Sequence, residues 1–184
     1  MIRASNGGNM GQEWQGGIVP AAQRIVPEWA KAAQMIAPAC DQGTRGQGCF
    51  VARAFDLEQV PQSAVLNISA QGLYRAFVNG ARVGQDLLTP GWTCYDDRIA
   101  YQSYDIASLL KSGQNRLEIW LGDGWYRAPL MWAANEIPNT WGTRIGAIAQ
   151  LAAGATVLVG TDGTWVSGHT PITQSGIYYG EDYD

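Results

Sequence analysis

Residues 64–84 read AVLNISAQGLYRAFVNGARVG, and they decide the fold class. AVLNISA (64–70) alternates apolar and polar side chains, the period of a strand with one face buried. LYRAFVNGARVG (73–84) places Asn79-Gly80 between two β-prone runs. That dipeptide suits a type I′ turn, because both residues tolerate positive φ, so the stretch predicts a tight hairpin. On the N-terminal side CFVARAF (49–55) predicts another half-buried strand. On the C-terminal side RIAYQSYDI (98–106) predicts a strand, and NRLEIWLG (115–122) puts Leu117, Ile119 and Leu121 on one face. DIASLLKSGQN lies between them; Asp105 can cap a single helical turn there and Gly113 can end it. Strands resume with IGAIAQLAA (145–153), ATVLVGT (155–161), a turn at Asp162-Gly163, and TWVSG (164–168). Many short strands, frequent turn signals and almost no helix predict an all-β sandwich. The long crossovers select a jelly roll as the subclass.

Two regions fall outside this strand pattern. Residues 1–47 form an N-terminal extension, open to packing on the sandwich. Its piece PEWAKAAQMIAP (27–38) supports two readings equally, a short helix bounded by Pro27 and Pro38, or an extended segment anchored by Trp29, Met35 and Ile36. Residues 123–144 form a long loop rich in Trp, Asn and Pro, and loops of that length in a compact domain are mostly functional or disordered. Trp125, Tyr126, Trp132 and Trp141 argue against disorder.

Composition narrows the function classes. The chain has 184 residues, enough for one domain with a substantial core. Only 15% are charged, 10% are aromatic, and 23 are Gly. Twelve basic residues are scattered singly against sixteen acidic ones, so no basic stripe exists to neutralise phosphates, and nucleic acid is not an expected partner. No apolar run approaches the length of a membrane span, and residues 1–20 lack the apolar core of a secretory signal. The sequence sets no compartment, cytoplasmic or exported. Three cysteines (Cys40, Cys49, Cys94) without a CxxC pair, and one histidine (His169), argue against a disulfide framework and against a zinc cluster. The expectation is three reduced, packed thiols, with a Cys40–Cys49 bridge as the rival.

Residue types bear on several chemistries. Glycoside hydrolysis needs two carboxylates flanking one bond, and Asp96, Asp97, Asp123, Glu136, Glu181, Asp182 and Asp184 lie near aromatics. None of their spacings fixes a geometry, so capping of turns is the plainer role for each. A Ser/His/Asp triad would depend on His169 without a GxSxG elbow, and no phosphate-binding glycine loop occurs. The loop tryptophans are the better clue, because indole rings stack on the C–H faces of sugars while amides and carboxylates bond the hydroxyls. Trp92, Trp125, Trp132 and Trp141 lie in turns or the long loop; plugging the ends of the sandwich is the competing role. Asp97, Asp123, Asn135 and Asn139 could offer oxygen ligands to calcium, though no EF-hand pattern is present.

Residues 68–127 resemble the N-terminal β-sandwich module of bacterial α-L-rhamnosidases. The resemblance rests on Ile68 to Ala70, Gly72, Tyr74, Asn79-Gly80, Pro90 to Thr93, Tyr95, Arg98, Tyr101, Tyr104-Asp105, the turn LLKSGQN, and Leu121 to Arg127 (LGDGWYR). Downstream, Trp141-Gly142, Ile148, Gln150, Leu151, Asp162, Trp165 and the terminal IYYGEDYD continue it, so it covers roughly 48–184. The NG hairpin and the LLKSGQN turn also resemble the jelly-roll, galactose-binding-like β-sandwich modules of other glycosidases, including the β-galactosidase group; PGWTCY and GDGWYR decide for rhamnosidase. The chain departs from the pattern at Ala128-Pro129, where the family carries Gly.

The resemblance implies a family that releases terminal α-L-rhamnose with inversion, using two acids on a separate (α/α)₆ barrel. It therefore implies no catalytic residue in this chain, which is expected to stop before that barrel. The implied role is a non-catalytic substrate-recognition or scaffold module whose partners are rhamnose-containing carbohydrate and the barrel. Carbohydrate-binding or interface candidates are Trp92, Asp123, Trp125, Arg127, Asn139 and Trp141. Calcium is the one cofactor the resemblance leaves open, since a related module binds rhamnose through it. The alternatives are a stand-alone lectin-like protein and, more distantly, a self-sufficient hydrolase.

Overall fold

A computed structural model of the chain describes residues 27–131 and 133–184. The described residues form eleven strands: β1 (Cys49–Leu57), β2 (Val65–Gln71), β3 (Leu73–Val78), β4 (Ala81–Arg82), β5 (Gln102–Asp105), β6 (Gly113–Gly122), β7 (Gly146–Ala153), β8 (Thr156–Gly160), β9 (Val166–His169), β10 (Ile172–Gly176) and β11 (Gly180–Tyr183). A five-stranded sheet runs β4-β3-β6-β1-β9 and a four-stranded sheet runs β5-β2-β7-β8. All named pairings are antiparallel. The protein is an all-β sandwich, as the strand pattern predicts.

Alternation along the strands builds the core. In β6 Asn115, Leu117, Ile119 and Leu121 are buried, while Arg116 and Glu118 face outward. Tyr74, Ala76 and Val78 of β3 join them, with Leu66, Ile68 and Ala70 of β2 and Ala147, Ala149 and Leu151 of β7 opposite. Each fully buried Leu or Ile contributes about 1.5–3 kcal/mol through area removed from water. The Asn79-Gly80 hairpin forms as expected, with φ of 53° and 82° at its two residues. Asn79 also reaches outside its turn: its side-chain carbonyl accepts from Arg116 N–H at 3.0 Å, and its amide donates to Leu109 O at 2.9 Å.

The structure corrects several local expectations. Only Gln102–Asp105 of the 98–106 run is a strand. The turn after it is a 3₁₀ turn, Ala107–Leu109, preceded by Ile106; the Asp105 carboxylate accepts from Ala107 N–H at 3.1 Å and from Ala64 N–H at 3.4 Å. Both readings of residues 27–38 hold in part. Glu28–Ala32 is a 3₁₀ helix, and the chain then extends, Ile36 bridging Ala147 while Gln34 N–H donates to Thr161 O. The 123–144 loop contains a helical turn α1 (Gly124–Arg127), a 3₁₀ turn Ala133–Asn135, and a bridge between Leu130 and Ile137. Beyond the last expected strand, residues 172–183 form the hairpin β10–β11. All three cysteines are free thiols. Residues 1–26 of the extension, and Trp132, lie outside the described residues.

Candidate functional site

Strand β6 ends in Gly122 and delivers GDGWYR to one end of the sandwich. Gly124 has a φ of +54°, and a β-carbon there would stand 2.6 Å from Leu73 Cγ. Glycine thus lets α1 turn tightly against β3. The turn places Arg127 beside Asp123, four residues earlier, and both are almost fully buried.

Every nitrogen of the Arg127 guanidinium donates a hydrogen bond. Its Nε and Nη2 donate to Asp123 Oδ1 at 2.8 and 2.6 Å. Its Nη1 donates to both oxygens of Asp41 at 2.8 and 2.6 Å and to Thr143 O at 3.1 Å. The other Asp123 oxygen accepts from Arg45 N–H at 2.8 Å. One guanidinium therefore ties the 41–45 segment, the end of β6 and residue 143 together. The buried Asp123 carboxylate, the partly buried Asp41 carboxylate and the buried guanidinium stabilise one another as a set, since a buried charge alone would carry a large desolvation cost.

Burial alone would raise the Asp41 carboxyl, but hydrogen bonds from Arg127 and from Gly43 N–H outweigh it and hold the group below its ordinary value. A carboxyl depressed in the folded state contributes stability above its unfolded value of about 3.9, and that contribution is lost as pH falls through the folded value. Asp41→Asn should therefore lower stability at pH 6, and the gap to the unsubstituted chain should close below about pH 4. Urea midpoints measured from pH 7 to pH 2.5 check this; a gap that persists at the acid end contradicts it.

Around this centre lie the remaining candidates. Trp92 is exposed and stacks on half-buried Trp125, ring centroids 6.0 Å apart and 7° from parallel. Trp141 is half-buried and tilts against Tyr95 at 5.7 Å; Tyr95 in turn meets Tyr126 edge-on at 5.2 Å. Asn139 is an exposed residue with a φ of 60°; its N–H donates to Arg127 O and its side chain accepts from Thr44 at 2.6 Å. The fold thus gathers Asp123, Arg127 and Asn139 with the 41–45 segment, in bracing roles. Of the six candidates, Trp92 offers the most open surface.

Sequence reasoning missed the cleft. A cavity of about 430 Å³ opens on the outer side of β3 and β6, walled by the 84–91 loop and the terminal hairpin. Arg75, Leu87, Leu88, Trp120, Ile177 and Glu181 line it, and none of the six candidates does. Arg75 Nη2 donates to both oxygens of Glu181 at 3.0 Å. The outward position of Trp120 in β6 was the available signal; the wall supplied by the hairpin had none.

Of the carboxylates near aromatics, Asp123 is bonded to Arg127, Glu136 pairs with Arg45 and accepts from Tyr179 OH at 2.7 Å, and Glu181 pairs with Arg75.

The fold also brings together three residues that are far apart in sequence. Cys40, Cys49 and His169 place their sulfur and nitrogen atoms within 4.8 Å of one another. Sequence spacing argued against such a group, because Cys49 and His169 become neighbours only through the β1–β9 pairing.

Comparison with known proteins places these features in a family setting. Residues 59–184 match the family model described as the α-L-rhamnosidase N-terminal domain. An α-L-rhamnosidase of Streptomyces avermitilis is 37% identical over 125 residues, covering 66% of this chain and 12% of that protein. One from Formosa agariphila is 32% identical over 140 residues, covering 73% of this chain and 15% of its own length. The crystal structure of native α-L-rhamnosidase from Aspergillus terreus superposes with a TM-score of 0.78 at 31% identity, over 87% of this chain and 19% of that one. The Streptomyces avermitilis α-L-rhamnosidase complexed with L-rhamnose superposes with a TM-score of 0.69 at 33% identity, over 76% and 14%. The chain spans 12–15% of the length of these two curated relatives.

Proposed function

Since the chain belongs to the family of α-L-rhamnosidase N-terminal domains, we propose that it serves as a non-catalytic scaffold module of an enzyme that removes terminal α-L-rhamnose from glycosides. The acid and base of that reaction would reside in a separate catalytic barrel, and this module would dock against it. The observation that carries the reading is the burial and mutual pairing of Asp123 and Arg127. The two polar groups of GDGWYR best suited to sugar hydroxyls are buried and bonded to each other, to Asp41 and to Thr143 O. Beside the motif, Trp92 stacks on Trp125 and is exposed at 59%, and Leu87 and Leu88 of the 84–91 loop are exposed at 74% and 55%, an apolar surface suited to a neighbouring domain.

A second reading, recognition of the rhamnoside, has one observation in its favour: the cleft sets Trp120 beside the Arg75–Glu181 pair, an aromatic face next to polar groups. The full-length enzyme carrying Trp125→Ala or Trp120→Ala separates the two. The scaffold reading expects kcat and KM on an aryl rhamnoside to stay within about twofold in both variants. It also expects Trp125→Ala to lose up to about 3 kcal/mol of stability, less than a fully buried Trp would. A tenfold rise in KM with Trp120→Ala and unchanged stability would transfer the function to the cleft.

A further inference from the structure

We propose that Cys40, Cys49 and His169 form a zinc site that fastens the segment before β1 to the edge strand β9. Each ligand is positioned by a separate restraint. Cys49 opens β1 and His169 closes β9, and the two are directly paired across the antiparallel ladder. The pairing is extended by Thr170 N–H to Gly48 O and Gly48 N–H to Ile172 O, each at 2.8 Å, so neither ligand can slip in register. Cys40 lies in a turn closed by Asp41 N–H to Pro38 O at 3.3 Å, and Ala39 N–H donates to Ser167 Oγ of β9 at 3.0 Å. The next residue, Asp41, is clamped by Arg127, which fixes the direction from which Cys40 approaches.

The spacing suits the ion. Zinc takes thiolate at about 2.3 Å and imidazole nitrogen at about 2.0 Å, so a tetrahedral site needs sulfur and nitrogen ligands about 3.6–3.8 Å apart. Cys49 Sγ lies 3.9 Å from His169 Nδ1, and all three ligand atoms fall within 4.8 Å. Closing on a metal therefore needs side-chain shifts of about 1 Å or less. Two thiols and an imidazole are borderline-soft donors, which favour zinc over calcium or magnesium. Cys49 is buried, Cys40 half-buried and His169 exposed, so the ion would enter from the solvent side and keep water as its fourth ligand.

The test uses the 184-residue chain, reduced, stripped of metal with a chelator and titrated with Co²⁺ as a spectroscopic stand-in. One equivalent should give thiolate-to-cobalt charge-transfer absorption with intense tetrahedral d–d bands, and Zn²⁺ should displace it. His169→Ala, an exposed change that leaves the fold intact, should weaken binding at least tenfold. Cys40→Ser should remove much of the charge-transfer band, and Zn²⁺ should raise the Tm of the unsubstituted chain but not of the variants. Three results would overturn the proposal: a folded chain without thiolate–cobalt absorption, equal affinity in His169→Ala, or a chain purified without reductant whose mass is two hydrogens lower, the mark of a Cys40–Cys49 disulfide.

Discussion

Replacing Arg127 by alanine should destabilise the domain by about 3–5 kcal/mol, a fall in Tm on the order of 10 °C for a chain of this size. The size of the effect follows from what remains. The Asp123 and Asp41 carboxylates would stay where they are, Asp123 almost fully buried, without the cation that balances them. Thr143 O would lose its donor as well. Arg127→Lys keeps the charge but cannot span both carboxylates and the carbonyl at once, so it should recover only part of the loss. Adding Asp41→Asn and Asp123→Asn to Arg127→Met should recover more than Arg127→Lys, because the variant then buries no unbalanced charge. Urea unfolding of the four proteins checks the order. An Arg127→Ala chain within about 1 kcal/mol of the original would show that the cluster is wetter than its burial indicates.

The same cluster shows how much of the site the sequence made legible. GDGWYR stood out as a motif, and its position at the end of a strand followed from the alternation of Leu117, Ile119 and Leu121. The partner that determines what Asp123 and Arg127 do is Asp41, 86 residues before Arg127 in a segment without strand periodicity. No local pattern reports such a contact, so a sugar-bonding role for the pair was as plausible as a bracing one. The strands themselves were legible because each buries one face, which leaves a two-residue period in the sequence. The misreadings fall where that cause is absent. Gly180–Tyr183 is exposed throughout and pairs only with β10, so nothing in its side chains announces a strand. Over 98–101, aromatic and β-branched residues imitate a strand that the backbone does not make. The cleft and the Cys40–Cys49–His169 group share one origin: both are assembled across elements distant in sequence.

Asn115→Ala should cost about 3 kcal/mol or more, although the residue carries no charge and touches no proposed ligand. Its position in LLKSGQN looks like part of a surface turn, yet the side chain is almost fully buried at the start of the inward face of β6. There the amide nitrogen donates to Lys111 O at 2.7 Å and to Gly113 O at 2.9 Å. The amide oxygen accepts from Lys111 N–H at 3.0 Å and from the Asn79 side chain at 2.9 Å. One side chain thereby closes the 111–115 turn and fastens it to the Asn79-Gly80 hairpin. Alanine would leave these groups short of partners at a site water enters poorly, and unmet buried groups cost about 1–3 kcal/mol each. Asn79→Ala is the control. It removes one of those bonds together with bonds to Leu109 O and Arg116 N–H, but at an exposed turn where water can substitute, so it should cost only about 1 kcal/mol beyond the turn preference. Hydrogen exchange sharpens the comparison: the amides of Lys111 and Arg116 should both lose protection in Asn115→Ala, and Arg116 alone in Asn79→Ala. Equal losses of stability in the two variants would mean that turn conformation, rather than the buried amide, holds this end of the sandwich together.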